Sequence, residues 1–422
     1  MGIKLTALGA AQEVGRSGFI VDSGDKILLD YGVKLGPEGT EYPLPVNTNL
    51  TAAIISHAHL DHSGHLPALF DVSQPLVYMT PPTLEIAKLL WHDTLKIAGL
   101  EGMEAHFTKE EIAKTERFTF PLTYNKHIEI TKKTGMEFYD AGHIIGSAIT
   151  KLNLHDKTLV YTGDYKPEET RLFKPADLNM GRADFLITES TYGDSDHKPR
   201  KEVEKEFVEA VQDTIEHDGH VLVPAFAVAR SQEIAEVLHE YKIDAPIYLD
   251  GMAQAAARIF MQYPKYLKNS EFLKKALHNV HWVDKPKVRE MALKEPSIVI
   301  TTSGMLQGGP IQYYLKKLYN DKKSSLFLTG FQVSGTPGRI LMDTGKINLN
   351  GTNVKLEMNL KKFDFSGHPG KTEMLNTIKK LNPEKVICVH GDAEIIELFM
   401  MNIEEQGFEA VAPKRGETIS LC

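Results

Sequence analysis

The sequence predicts an α/β protein in which a parallel sheet flanked by helices, residues 191–345, is inserted into a domain formed by 1–190 and 346–422. Three observations predict it. Apolar, strand-like runs recur, and seven of them end in a residue able to bind a metal or move a proton. Between 191 and 345 the rhythm changes to strands alternating with helices, as in βαβ units. Two of the seven end residues, His368 and His390, lie about 300 residues past the first cluster, so the two outer parts are expected to share one site.

Composition bounds the class. At 422 residues, 42% apolar and 25% charged, the chain has the make-up of a soluble globular protein of two domains. No run of eighteen apolar residues is present, so no transmembrane helix is expected. The start, MGIKLTALGA, lacks the form of a signal peptide. Gly2 with Thr6 matches a myristoylation pattern, but the alternation of Ile3, Leu5 and Ala7 reads as a first strand. Two cysteines, Cys388 and Cys422, cannot build a disulfide framework, and a cytoplasmic protein is expected. A net charge of −8 counts against holding nucleic acid by charge alone. It leaves room for an enzyme that meets phosphate with bound cations and a local basic patch.

The first fifty residues read as strands and turns: KLTALGA, GFIVDSG, KILLDYG. Asp30 ends the third run, either as a delivered carboxylate or as the start of a turn with Tyr31 and Gly32. The run TAAIIS then enters His57-Ala-His59-Leu-Asp61-His62. His57 and His59 are two apart, so on extended backbone they point to one side. Asp61 and His62 follow as the chain turns, so one loop can offer two ligands to one metal and two to a neighbour. Imidazole and carboxylate suit zinc at neutral pH. His65 is open to two roles, supporting the ligands or packing at a helix start. Residues 83–117 are helix-like, and further runs end at His143, Asp164 and Glu189.

In the middle block Val203, Phe207, Val211 and Ile215 share a helical face that Gly219 closes. The small-residue loops Thr301–Gly304 and Val333–Arg339 could present backbone N–H groups to phosphate, with Ser303, Gly304, Ser334 and Gly335 as candidates. Arg230 and Arg339 are candidate phosphate contacts beside them. After Gly345 strands return through VKLEMNLKKFDFSGH, carrying Ser366, Gly367 and His368, and KVICVHGD ends at His390.

The pattern H-x-H-x-D-H, then His143, Asp164 and the distant His390, resembles the metallo-β-lactamase fold, two packed sheets with helices outside (αββα). More closely, the chain resembles the β-CASP nucleases over nearly its whole length. Asp30 in LLDYG, Glu189 in TESTYG and His368 in FSGHPG match that family, although Ser366-Gly367-His368 lacks the aspartate found two residues on in many members. Neither the N-terminal KH domains nor the C-terminal extensions of archaeal members are expected in this length. The resemblance implies a ribonuclease with two Zn²⁺ per chain. One ion would take His57, His59 and His143, the other Asp61, His62 and His390, with Asp164 bridging. His368, Glu189 and Asp61 would form the catalytic set, His368 as general acid oriented by Glu189, with Asp30 fixing a ligand imidazole. Internal cleavage of single-stranded RNA is the leading expectation. The alternatives are 5′→3′ trimming of the RNase J kind, a small-molecule hydrolase of lactamase or glyoxalase type, and a silent scaffold. RNA is the expected partner, no membrane is expected, and a homodimer and an RNA-processing complex are candidate assemblies.

Overall fold

The computed structural model describes residues 2–36, 39–333, 335–349 and 351–422. They form two compact units: 1–169, 174–196 and 367–422 make the first, and 170–173 with 197–366 make the second.

The first unit contains two seven-stranded sheets. One runs in the order Thr418–Ser420, Lys4–Gly9, Gly18–Asp22, Lys26–Leu29, Ala52–Ile54, Leu76–Met79, Thr119–Pro121. The other runs Glu409–Val411, Lys385–Val389, Phe185–Glu189, Lys157–Tyr161, Ala148–Leu154, Thr134–Asp140, Ile128–Glu129. Side chains alternate across each strand, and the alternation builds the layers. Ile27, Leu29, Ile54, Phe138, Phe185, Ile187 and Ile387 from both sheets share one core. Their neighbours Leu186, Val386 and Cys388 turn the other way, against Ile378 and Phe399 of the helices Lys371–Leu381 and Ala393–Glu405. Leu28, Ala53 and Val77, on the far face of the first sheet, are also fully buried. Each such Leu, Ile, Val or Phe contributes about 1.5–3 kcal/mol on burial.

The helix-like stretch 83–117 is two helices, Pro81–Glu101 and Lys109–Arg117. Gly102 closes the first in the left-handed region, and Thr108 with Glu111 opens the second as a capping box. Both cysteines are free, Cys388 buried and Cys422 exposed. Among the described residues no helix is long and apolar enough to cross a membrane.

The second unit carries a six-stranded parallel sheet in the order His281–Trp282, Ile247–Asp250, Ile298–Thr301, Val221–Pro224, Ser325–Leu328, Asn359–Lys362. The helix Arg200–Glu216 buries Val203, Phe207 and Val211, the spacing read from the sequence. The bounds differ from the expected 191–345: the second unit begins at His197 and takes in Thr170–Phe173. The second unit extends to Ser366, past the expected 345. The strand Asn359–Lys362 pairs in parallel with Ser325–Leu328, and the hairpin Lys346–Leu349/Thr352–Lys355 belongs to the same unit. An alternating run shows that it is a strand, not which sheet edge will accept it.

Glu236, on the helix Arg230–Glu240, is buried with its Oε2 making no hydrogen bond among the described residues. Burial, helped by the like charges of Glu204 and Glu240 and opposed by Arg171 and Lys268, raises its pKa from 4.5 to about 8. The folded state therefore keeps a proton that the unfolded chain releases, and stability is lost as pH rises from about 4.5 through about 8. Glu236→Gln is expected to leave the melting temperature nearly unchanged at about pH 4 and to raise it by about 3 °C or more at about pH 8.5. Thermal melts at the two pH values check this; an equal shift at both would contradict it.

Candidate metal centre

Five strand ends of the first unit converge. The strand Ala52–Ile54 continues through Ile55 and Ser56 into His57, and the short helix Leu60–Ser63 presents Asp61 and His62. This loop is tied down by backbone hydrogen bonds, Ser17 N to Asp61 O at 2.8 Å and Tyr31 N to His62 O at 2.8 Å. Gly32 packs against the Asp61 carbonyl so closely that any Cβ there would overlap it. Asp164 follows Gly163, whose φ of +53° and contact with the Ser56 side chain both favour glycine. Glu189 is the last residue of its strand and pairs in register with Val389, so His390 emerges beside it. The His390 N–H donates to Ala10 O at the end of the first strand, 2.8 Å away. His143 leaves the strand Thr134–Asp140 in a loop held by Thr80 Oγ1, which donates to Gly146 O at 2.7 Å.

Two sets of four ligand atoms result, each with its members within 4.8 Å of one another: His57, His59, His143 and Asp164, and Asp61, His62, Asp164 and His390. In the first, His59 Nδ1 is 3.2 Å from His57 Nε2 and 3.3 Å from His143 Nε2. Asp164 belongs to both: its Oδ2 lies 3.6 Å from His57, 3.8 Å from His143 and 3.4 Å from His62, and its Oδ1 lies 3.4 Å from His390. His390 Nε2 is 3.4 Å from Asp61 Oδ2.

Nitrogens gathered this closely suit a shared cation better than one another. Asp164 Oδ1 is buried yet makes no hydrogen bond among the described residues. A buried carboxylate oxygen left so is costly unless a cation takes it up. Both sets therefore fit a divalent metal in donor type, number and spacing. Protonation agrees. Burial holds His57 and His143 well below the ordinary imidazole range and His59 at about 4, so all three carry open lone pairs at pH 7. Burial alone would raise Asp164 and Asp61, but the imidazoles around them, His62 foremost, hold both well below the usual carboxylate range.

Asp30 has left-handed backbone, φ +57°, directly after its strand. It accepts from Ser56 N and Ser56 Oγ at 2.7 Å each and from Tyr161 Oη at 2.6 Å, and its Oδ2 is 2.7 Å from His62 Nδ1. It thereby orients the His62 ring, leaving Nε2 toward the centre.

His368 approaches from the C-terminal part of this unit. Its Nδ1 is 2.8 Å from Glu189 Oε2 and 4.0 Å from Asp164 Oδ2. Glu189 is fixed by Tyr165 N at 3.0 Å and Thr191 Oγ1 at 2.7 Å. Burial would lower the His368 pKa, but Glu189 and then Asp164 outweigh it and raise it to about 9. The Gly367 carbonyl meets His143 Nδ1 at 2.9 Å. Lys166 donates to Glu373 at 2.6 Å, and the same carboxylate accepts from Gly370 N at 2.7 Å, so a partly buried ion pair joins the Asp164 and His368 loops. His65 packs its ring between Tyr31 and Tyr42, centroids 4.9 and 4.7 Å away, at the start of the 3₁₀ turn Leu66–Ala68.

Several partners went unnoticed in the sequence: Ser56, Tyr161, Thr191 and the Lys166–Glu373 pair. Thr191 had a signal, since it lies two residues past Glu189 in the TEST run. The others act across large sequence separations.

The remaining candidates lie in the second unit. Ser303 and Gly304 follow the strand Ile298–Thr301, at the end of a parallel sheet where ligands commonly bind. Gln332 donates to Gly304 O at 3.1 Å, which joins this loop to the one carrying Gly335. Ser334 lies outside the described residues. Both arginines engage carboxylates of their own helices: Arg230 is buried against Glu233, and the exposed Arg339 bonds Asp343 at 2.9 Å. Arg230 is thus an internal ion pair. Ser366 gives its carbonyl to Arg200 Nη2 at 2.6 Å.

A two-sheet sandwich that gathers buried imidazoles and carboxylates at its strand ends defines a metallo-hydrolase scaffold, and comparison with known proteins places it further. Residues 20–188 match the model of the metallo-beta-lactamase superfamily domain, 231–341 that of the Beta-Casp domain, and 353–413 that of the Zn-dependent metallo-hydrolase RNA specificity domain. The chain belongs to the β-CASP family of the metallo-β-lactamase superfamily. It is 43% identical to the probable RNase MJ4 of Methanocaldococcus jannaschii, over 98% of this chain and 99% of that protein. It is 37% identical to RNase aCSPSF2 of Saccharolobus solfataricus, over 99% and 85%. It is 36% identical to the transcription termination factor FttA of Methanosarcina mazei, over 99% and 72%. A solved structure, a protein of unknown function from Enterococcus faecalis V583, shares the fold with a TM-score of 0.64 at 16% identity over the full length of both chains.

Proposed function

We propose that this chain is a metal-dependent ribonuclease that cleaves single-stranded RNA internally with two zinc ions, leaving a 3′-hydroxyl and a 5′-phosphate. The observation that carries the reading is the pair of four-residue ligand sets sharing Asp164, with the His368–Glu189 pair beside them. His57, His59 and His143 would hold one ion, Asp61, His62 and His390 the other, and Asp164 both. When bound, such ions supply positive charge for the phosphoryl oxygens and make water a stronger acid. The remaining work falls to the chain. Asp30 holds the His62 ring in one tautomer through Nδ1. Glu189 keeps His368 cationic, and His368 gives its proton to the departing 3′-oxygen. Relatives named as RNases support the RNA substrate. Two free thiols fit a cytoplasmic setting.

A 3′-labelled RNA with a blocked 5′ end tests the reading. Cleavage of that substrate, lost on adding a chelator, is the expected result. Resistance of the blocked RNA with trimming of a free 5′ end would replace internal cleavage by exonuclease action. Turnover of a lactam or thioester with no action on RNA would overturn the ribonuclease itself.

A further inference from the structure

The second unit carries a groove of about 410 Å³ that the metal chemistry leaves unused. It runs between the helices Ala253–Gln262 and Ser270–His278 and ends at Trp282 of the edge strand. Its floor is apolar, from Ala257, Met261 and Leu277, and three basic side chains line it, Arg258, Lys274 and His278.

These side chains stand apart from most arginines of the chain. Arg16, Arg171, Arg182, Arg200, Arg230, Arg289 and Arg339 all face carboxylates. Arg258, Lys274 and His278 make no ion pair among the described residues. The Arg258 guanidinium instead lies over the Trp282 ring, 4.9 Å from its centroid, and the indole N–H is anchored on Leu277 O at 3.2 Å. The local sequence repeats the contrast: residues 258–287 hold seven Lys and Arg against two Asp and Glu, in a chain of net charge −8. A cationic groove with a fixed aromatic wall suits a polyanion with stackable rings.

We infer that this groove binds the sugar–phosphate backbone and a base of single-stranded RNA, as an accessory site outside the metal centre. The inference rests on the ribonuclease reading for its ligand. Arg258 and Lys274 would each take a phosphate, and a base would stack on the guanidinium–indole pair.

The test uses the full chain with both Arg258 and Lys274 reversed (R258E/K274E), exposed positions whose change leaves the core intact. Affinity for a phosphorothioate-linked, unstructured RNA of about 25 nucleotides is measured by anisotropy from low to moderate salt, and cleavage of a tetranucleotide is measured alongside. Each lost phosphate contact lowers the slope of log affinity against log salt by about 0.7 on single strands. The expected result is at least tenfold weaker binding of the long RNA, a slope reduced by about 1.4, and tetranucleotide cleavage as in the parent. Unchanged affinity and slope would overturn the groove while the ribonuclease stands. A parent protein that binds the long RNA but cleaves neither the tetranucleotide nor the same long RNA with ordinary phosphodiester links would overturn the ribonuclease reading alone.

Discussion

Replacing Asp164 with alanine is expected to release metal and abolish cleavage. No other side chain belongs to both four-residue sets. Its two oxygens face His57, His62, His143 and His390 at 3.4–3.8 Å, and it is almost wholly buried. Without it each set keeps three ligands, and the first keeps only neutral imidazoles. Loss of a partner that merely orients a ligand costs about 10–100-fold in metal affinity or activity. Removing a carboxylate shared by two ions should cost well beyond the upper end of that range. Metal analysis of the purified variant provides a readout independent of turnover: two ions per chain in the parent, one or fewer in Asp164→Ala. A variant holding both ions and cleaving RNA at the parent rate would rule out the bridging role.

His368→Ala should behave differently. Its ring nitrogen faces Glu189 and lies 4.0 Å from Asp164, and it belongs to neither four-residue set. Both ions should stay while cleavage slows by about 10²–10⁴-fold, the usual worth of a positioned acid. The pH profile carries the sharper signature. Glu189, with Asp164, raises the His368 pKa to about 9 against the effect of burial. The His368 cation is therefore present at neutral pH and is lost as pH rises through about 9, so a rate that depends on it as proton donor should fall on that alkaline limb. Glu189→Gln removes the strongest source of that rise and should move the limb toward the ordinary imidazole value. Metal loss in His368→Ala, or an unmoved limb in Glu189→Gln, would remove His368 from the acid role.

Much of this centre was legible because its residues come at the ends of apolar runs. His57, His59, Asp61 and His62 announce themselves by spacing, and Asp164, Glu189 and His390 by following strands whose burial the composition already implies. Arg230 was open in the sequence, a phosphate contact beside a small-residue loop or a salt-bridge arginine, and only the fold shows it buried against Glu233. The run 354–368, read as strand, is strand only in Thr352–Lys355 and Asn359–Lys362, and both join the second unit.

Side-chain chemistry and its periodicity along the chain are local properties, and they alone determined which residues could hold metal, which segments would be strand or helix, and that the outer parts share a centre. Which atoms meet is set by strand register and by loops closing over hundreds of residues. Only the tertiary structure could therefore decide that Asp164 faces both ligand sets, that Asp30 grips His62, and that Glu189 stands 2.8 Å from His368.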